Sequence, residues 1–92
     1  MKKDQETNTI LIDVRDPEEF EQGALPGAIC VPLGSFSKET LFENGIDHTK
    51  FDEEIVCYCL SGARSAMACE IAKEIGFKNV KNIEGGIMGL RR

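Results

Sequence analysis

Cys59 stands immediately before Leu60, Ser61, Gly62 and Ala63, and these four residues lead into Arg64 and Ser65. A free thiol is only a few per cent ionised at neutral pH, but a helix N-terminus or a nearby cation lowers its pKa from about 8.5 to roughly 3.5–7.5. Both aids are legible here. The run Ile55-Val-Cys-Tyr-Cys59 reads as a buried strand, and a helical pattern follows from about Ser65 to Ile75, so the loop between them turns unpaired N–H groups toward the cysteine. Arg64 adds a permanent cation able to bind an oxyanion or a carboxylate. Cys59 and Arg64 are the candidate catalytic pair, with Leu60, Ser61, Gly62, Ala63, Arg64 and Ser65 as the substrate cradle. The competing reading, Cys59 as an inert interior residue, does not explain why strand end, small loop, Arg-Ser and helix start coincide.

Other reactive side chains fit structural roles better. Asp13 and Arg15 flank Val14 in an Asp-Val-Arg segment, and the acidic neighbours Glu18 and Glu19 offer Arg15 partners. His48 sits in a polar stretch with no cysteine or carboxylate at ligand spacing, so a metal site is not expected. Four cysteines in 92 residues raise a disulfide framework. Cys30 and Cys57 lie in strand patterns and Cys69 on the helix, however, which suits small reduced core residues. Cys57 and Cys59 share one face of a strand with Cα atoms about 6.6 Å apart, near the upper edge of disulfide geometry.

With 41% hydrophobic and 29% charged residues, the composition is that of a folded domain, and the length suits one core over residues 1–92. A net charge of −5 argues against a nucleic-acid partner, which needs a basic face. Asp4, Gln5 and Glu6 interrupt the apolar core that a signal peptide starting Met1-Lys2-Lys3 would require. No stretch reaches the ~20 apolar residues of a membrane span. A cytoplasmic chain with no membrane partner is the expectation.

The elements that must position the loop follow in order. Residues 1–8 are polar and expected to fray. Thr9 to Val14 forms a strand. Asp16-Pro17-Glu18-Glu19 supplies an N-cap, a first-turn proline and a third-position glutamate for a short helix ending at Gly23. Leu25-Pro26-Gly27 marks a turn, Ala28 to Pro32 a short strand, and Ser35 to Asn44 a helix capped by Ser37. Ile46 to Glu54 reads as a surface connection. The helix after Cys59 carries Ala68, Ile71, Ala72 and Ile75 as its apolar stripe and ends at Gly76. Val80 to Ile83 is the last strand, and Gly85-Gly86 turns into a final segment. Alternating strands and helices require a parallel sheet covered on both faces: a three-layer α/β/α fold of about four strands. Ligands of such sheets bind beyond the strands' carboxyl ends, where Cys59 falls.

Tyr58-Cys59-Leu-Ser-Gly62-Ala-Arg64-Ser65 resembles the active-site loop of the rhodanese domain family. Ile12-Asp13-Val14-Arg15-Asp16-Pro17-Glu18-Glu19-Phe20 is similar to the family's first signature, Gly23-Ala-Leu-Pro26-Gly27-Ala28 to its next turn, and Gly76-Phe77-Lys-Asn79-Val80 with Gly85-Gly86 to its closing strand and glycine pair. The resemblance implies a rhodanese-like fold lacking the family's extra first edge strand. It also implies a sulfurtransferase of the thiosulfate:cyanide type, which carries a sulfane sulfur as a Cys59 persulfide and needs no cofactor. Partners would be a small donor such as thiosulfate or a persulfide, and a thiol, cyanide or protein sulfur acceptor. Thiosulfate-selective relatives often place extra cations in the loop, where this chain has Leu60 and Ser61. Phosphatases of the same fold place five residues between cysteine and arginine, against four here. The alternative is a non-enzymatic regulatory or protein-interaction module of the same family, whose members usually lack the cysteine.

Overall fold

The computed structural model describes residues 9–90, with side chains to 89. The segment 1–8 and the basic pair Arg91-Arg92 lie outside the described residues. The elements are β1 (Thr9–Asp13), α1 (Pro17–Gln22), β2 (Ile29–Cys30), α2 (Lys38–Glu43), β3 (Glu54–Tyr58), α3 (Ala63–Ile75), β4 (Asn79–Asn82) and α4 (Gly86–Leu90). The four strands form one parallel sheet in the order β2-β1-β3-β4.

The register sorts the side chains into two faces. Ile12 pairs with Cys57 and Asp13 with Tyr58, and neighbours across a ladder share a face while consecutive residues alternate. The Ile55, Cys57 and Cys59 face lies under α3, whose Ser65, Ala68, Cys69 and Ala72 are buried. The opposite face carries Asp13 and Tyr58, both wholly buried. There the Tyr58 hydroxyl accepts the Leu25 N–H at 3.0 Å, tying the segment that follows α1 to the sheet. Helical layers on both faces leave the carboxyl ends of β1 and β3 as the open end of the sandwich.

Arg15 closes that end. Its Nε and Nη2 reach both carboxylate oxygens of Asp13 at 2.8–3.1 Å, and Nη2 also donates to the Gly23 carbonyl at 2.6 Å. The partner is therefore Asp13 in place of the expected Glu18 or Glu19. The physical reason is burial: Arg15 is 6% exposed and Asp13 0%, and a buried cation next to a buried carboxylate must pair with it, since either left alone costs roughly 3–5 kcal/mol.

Several boundaries shift. The 46–54 connection is not purely a surface segment, because Ile46 is buried in the core and His48–Lys50 form a 3-10 turn; His48 itself is exposed. A second 3-10 turn, Leu33–Ser35, precedes α2, whose Ser37 cap accepts the Thr40 N–H at 3.2 Å. Helix α3 begins two residues before the pattern's start, at Ala63. It ends on Gly76 (φ +136°), where a Cβ would come within 2.8 Å of the Phe51 ring. That ring packs edge-on against Phe77, with centroids 4.8 Å apart. Cys30 is half-buried where a core position was expected, while Cys57 and Cys69 are buried; all four cysteines are free.

Candidate active site

Cys59 is the first residue beyond β3, and its backbone is gripped from behind. The Ile87 N–H donates to the Cys59 carbonyl at 3.0 Å and the Met88 N–H to the Leu60 carbonyl at 3.1 Å. Gly86 makes this approach possible: a Cβ there would collide with the carbonyl oxygens of Cys59 and Leu60, and its φ of +60° favours glycine. The glycine pair is thus the floor of the loop as well as a turn, a role its spacing in the sequence did not disclose.

In front, the chain curls around the sulfur. Gly62, the left-handed N-cap of α3 (φ +105°), donates its N–H to Cys59 Sγ at 3.0 Å. Ser65, wholly buried in the first turn of α3, sets its hydroxyl 3.5 Å from the same sulfur. Burial pushes the Cys59 thiol up, but hydrogen bonds from the Ser65 hydroxyl and from the N–H groups of Ser65, Gly62 and Ser61 outweigh it, so the thiol lies below its ordinary 9.0. The contrast with its neighbour is instructive. Cys57, two residues back on the same face, has only burial and the Cys69 thiol around it, and is pushed strongly up.

Arg64 is brought to the loop but not left free. Its Nη1 and Nη2 meet Glu19 Oε1 and Oε2 at 3.0 and 3.3 Å, and Glu19 Oε1 also accepts the Asp16 N–H at 3.1 Å. The hydrogen bonds to Arg64 hold the Glu19 carboxyl below its ordinary 4.5. Arg64 and Cys59 attract one another, yet the thiol is governed by hydrogen bonds. Leu60 is exposed at the rim, as are Ser61 and Ala63.

Asn82, the last residue of β4, is a member the sequence reading did not single out. Its Oδ1 accepts from the Ser65 hydroxyl and its Nδ2 donates to the Gly62 carbonyl at 3.4 Å. The available signal was a polar side chain at the carboxyl end of a strand beside the Cys59 strand. Next to the loop lies an open cavity of about 340 Å³ lined by Arg15, Glu19, Gln22, Gly23, Leu60, Ile87 and Met88, large enough for a small organic ligand. Among the described residues no cluster of three His, Cys, Asp or Glu converges, and no helix is long and apolar enough to cross a membrane.

Fold and loop together define an α/β protein that presents a hydrogen-bonded cysteine sulfur at a helix N-terminus. The model of the rhodanese-like domain matches residues 1–92, and the chain belongs to that family. It is 35% identical over 85 residues to a putative mitochondrial thiosulfate sulfurtransferase of Schizosaccharomyces pombe, covering 85% of this chain and 60% of that protein. It is 34% identical to a sulfurtransferase of Allochromatium vinosum, covering 92% of this chain and 74% of the other. Among solved structures, a rhodanese with anions from E. coli superposes with a TM-score of 0.73 at 30% identity, covering 86% of this chain and 88% of that one. The chain thus spans less than two thirds of the fission-yeast relative, and only 26% of a similar tRNA uridine(34) hydroxylase from Buchnera aphidicola.

Proposed function

We propose that this chain is a sulfurtransferase whose Cys59 carries the transferred sulfur. The Cys59 thiolate attacks the outer sulfur of a donor; the donor's sulfur–sulfur bond breaks, its electron pair leaves with the departing group, and Cys59 holds the added sulfur as a persulfide. A thiolate or cyanide acceptor then attacks that outer sulfur and the Cys59 thiolate departs. No net oxidant and no cofactor enter the cycle. The Ser61 and Gly62 N–H groups and the Ser65 donors steady negative charge on sulfur in both steps, much as an oxyanion hole steadies oxygen. The single observation carrying the reading is the 3.0 Å hydrogen bond from Gly62 to Cys59 Sγ within a left-handed helix cap.

Arg64, committed to Glu19, serves as a strut between α1 and the loop more than as a free anion receptor. That disposition, with Leu60, Ile87 and Met88 on the adjoining cavity wall, favours an organic persulfide over thiosulfate as donor and a thiol as acceptor, on a small molecule or a protein. Intact mass after exposure to a sulfane-sulfur donor tests the function: one added sulfur, removable by cyanide and absent from Cys59→Ser, is the expected result. No added sulfur with any donor class would return the chain to the non-catalytic interaction module, whose supporting observation is the exposed apolar trio Leu60, Met67 and Met88.

A further inference from the structure

We propose that Asn82 is a positioning residue that decides whether the Ser65 hydroxyl proton points at the Cys59 sulfur, by turning its amide over as the sulfur gains or loses charge. Ser65 carries one hydroxyl proton, and three acceptors lie within reach of it: Asn82 Oδ1, the Gly62 carbonyl at 3.2 Å and Cys59 Sγ at 3.5 Å. With Oδ1 toward Ser65, the proton lies on the Ser65–Asn82 line, Nδ2 donates to the Gly62 carbonyl, and a neutral thiol can donate its own proton to Ser65 Oγ. A thiolate has no proton to give and needs the Ser65 proton itself. Turning the amide over supplies this, because Nδ2 then donates to Ser65 Oγ and the hydroxyl swings to sulfur. The Gly62 carbonyl is not orphaned by the turn, since the Ala66 N–H still reaches it at 3.1 Å.

An amide, with a donor at one end and an acceptor at the other, can serve both arrangements. A carboxylate at position 82 accepts in every orientation and would hold the Ser65 proton away from sulfur; a hydrocarbon competes for nothing and leaves Ser65 free to donate to sulfur. The other groups around Cys59 do not duplicate the device. Arg64 on the loop is paired with Glu19, Cys57 and Cys69 beneath are neutral thiols held up by burial, Lys81 on β4 pairs with Glu54 at 2.7 Å, and Glu84 beyond β4 is exposed.

The inference rests on Cys59 as the nucleophile but not on sulfur transfer, so its test uses alkylation by iodoacetamide as a function of pH on the full chain. Asn82→Asp should raise the alkylation midpoint by about one pH unit, a tenfold loss of thiolate below the midpoint, whereas Asn82→Leu should leave it near the unmodified value. In a Ser65→Ala background the Asn82→Asp effect should shrink to the remainder that a nearby negative charge exerts by itself. Equal effects in both backgrounds, or equal effects of Asp and Leu, would overturn the proposal. Should the variants fail to fold, the unmodified protein still decides: the Asn82 side-chain NH2 resonances should titrate together with Cys59, and their indifference to that titration would refute the amide turn. Persistence of the coupling in a protein that loads no sulfur would instead count against the sulfurtransferase reading alone.

Discussion

Arg64 and Glu19, 45 residues apart in the chain, face each other in two parallel hydrogen bonds of 3.0 and 3.3 Å, so the one cation between Cys59 and Ser65 is engaged by a carboxylate of α1. The pair is about one-third exposed on each side, which limits its contribution to stability. In the proposed sulfur transfer the pair would decide whether an anionic donor meets a free guanidinium or a neutralised one.

Glu19→Gln is therefore expected to raise kcat/KM for thiosulfate while lowering stability only by about 0.2–1 kcal/mol, the range of exposed ion pairs. Steady-state kinetics with thiosulfate and with a neutral organic persulfide check this, and only the dianion should gain. The pH dependence has a defined sign. The Glu19 carboxyl is held below 4.5 in the fold, so its stabilisation is complete above that value and lost as pH falls through the lower folded one. Thermal melts of Glu19→Gln and of the unmodified protein should converge in that acid range.

Cys59 is likewise an acid held below its ordinary 9.0. An acid depressed in the fold adds stability that grows as pH rises above the folded value and levels off above the unfolded one. Relative to Cys59→Ser, the unmodified protein should become more stable up to about pH 9 and gain nothing beyond it. A flat difference across that range, measured by denaturant titration, would contradict an activated thiol.

Gly86→Ala should damage the loop more than its small size suggests. The added Cβ meets the Cys59 and Leu60 carbonyls at a positive φ, a strain of about 1–3 kcal/mol before the loop shifts. Sulfur loading should fall together with stability. Gly34→Ala, with nothing within 4 Å of the added atom and no positive φ, is the matched control and should change stability by at most about 1 kcal/mol.

Loop length should select sulfur over phosphorus. The four residues between Cys59 and Arg64 already bring the Gly62 N–H to 3.0 Å from the sulfur, and the Gly85 nitrogen limits Gly62 from outside at 3.3 Å from its would-be Cβ. One more residue would add about 3.3–3.6 Å of contour, the room a phosphoryl group's oxygens need. The unmodified protein should not hydrolyse aryl phosphates; a glycine inserted after Gly62 should gain oxyanion affinity and lose sulfur loading. Cys59-dependent phosphatase turnover without the insertion would show that loop length is not the selector.

What the chain alone determined is local or periodic. The apolar run before Cys59, the small loop and the stripe on the following helix specify strand, turn and helix through backbone preference and burial, and their alternation requires a parallel sheet. The cap of α1 was legible for the same reason, since Asp16, Pro17 and Glu19 act within one turn. What only the tertiary structure decided concerns partners distant in sequence. Glu19 could pair with Arg15 or Arg64 as far as spacing is concerned; burial assigned Asp13 to Arg15 and left Glu19 for Arg64. Ile46 looked like part of a surface connection because one apolar residue among polar ones carries no period, yet it joins the core. Gly86 and Asn82 reach the Cys59 loop from the far end of the chain, 27 and 23 residues beyond the cysteine. Their roles depend on carbonyl and amide groups converging at the sheet's carboxyl end, which no local pattern encodes.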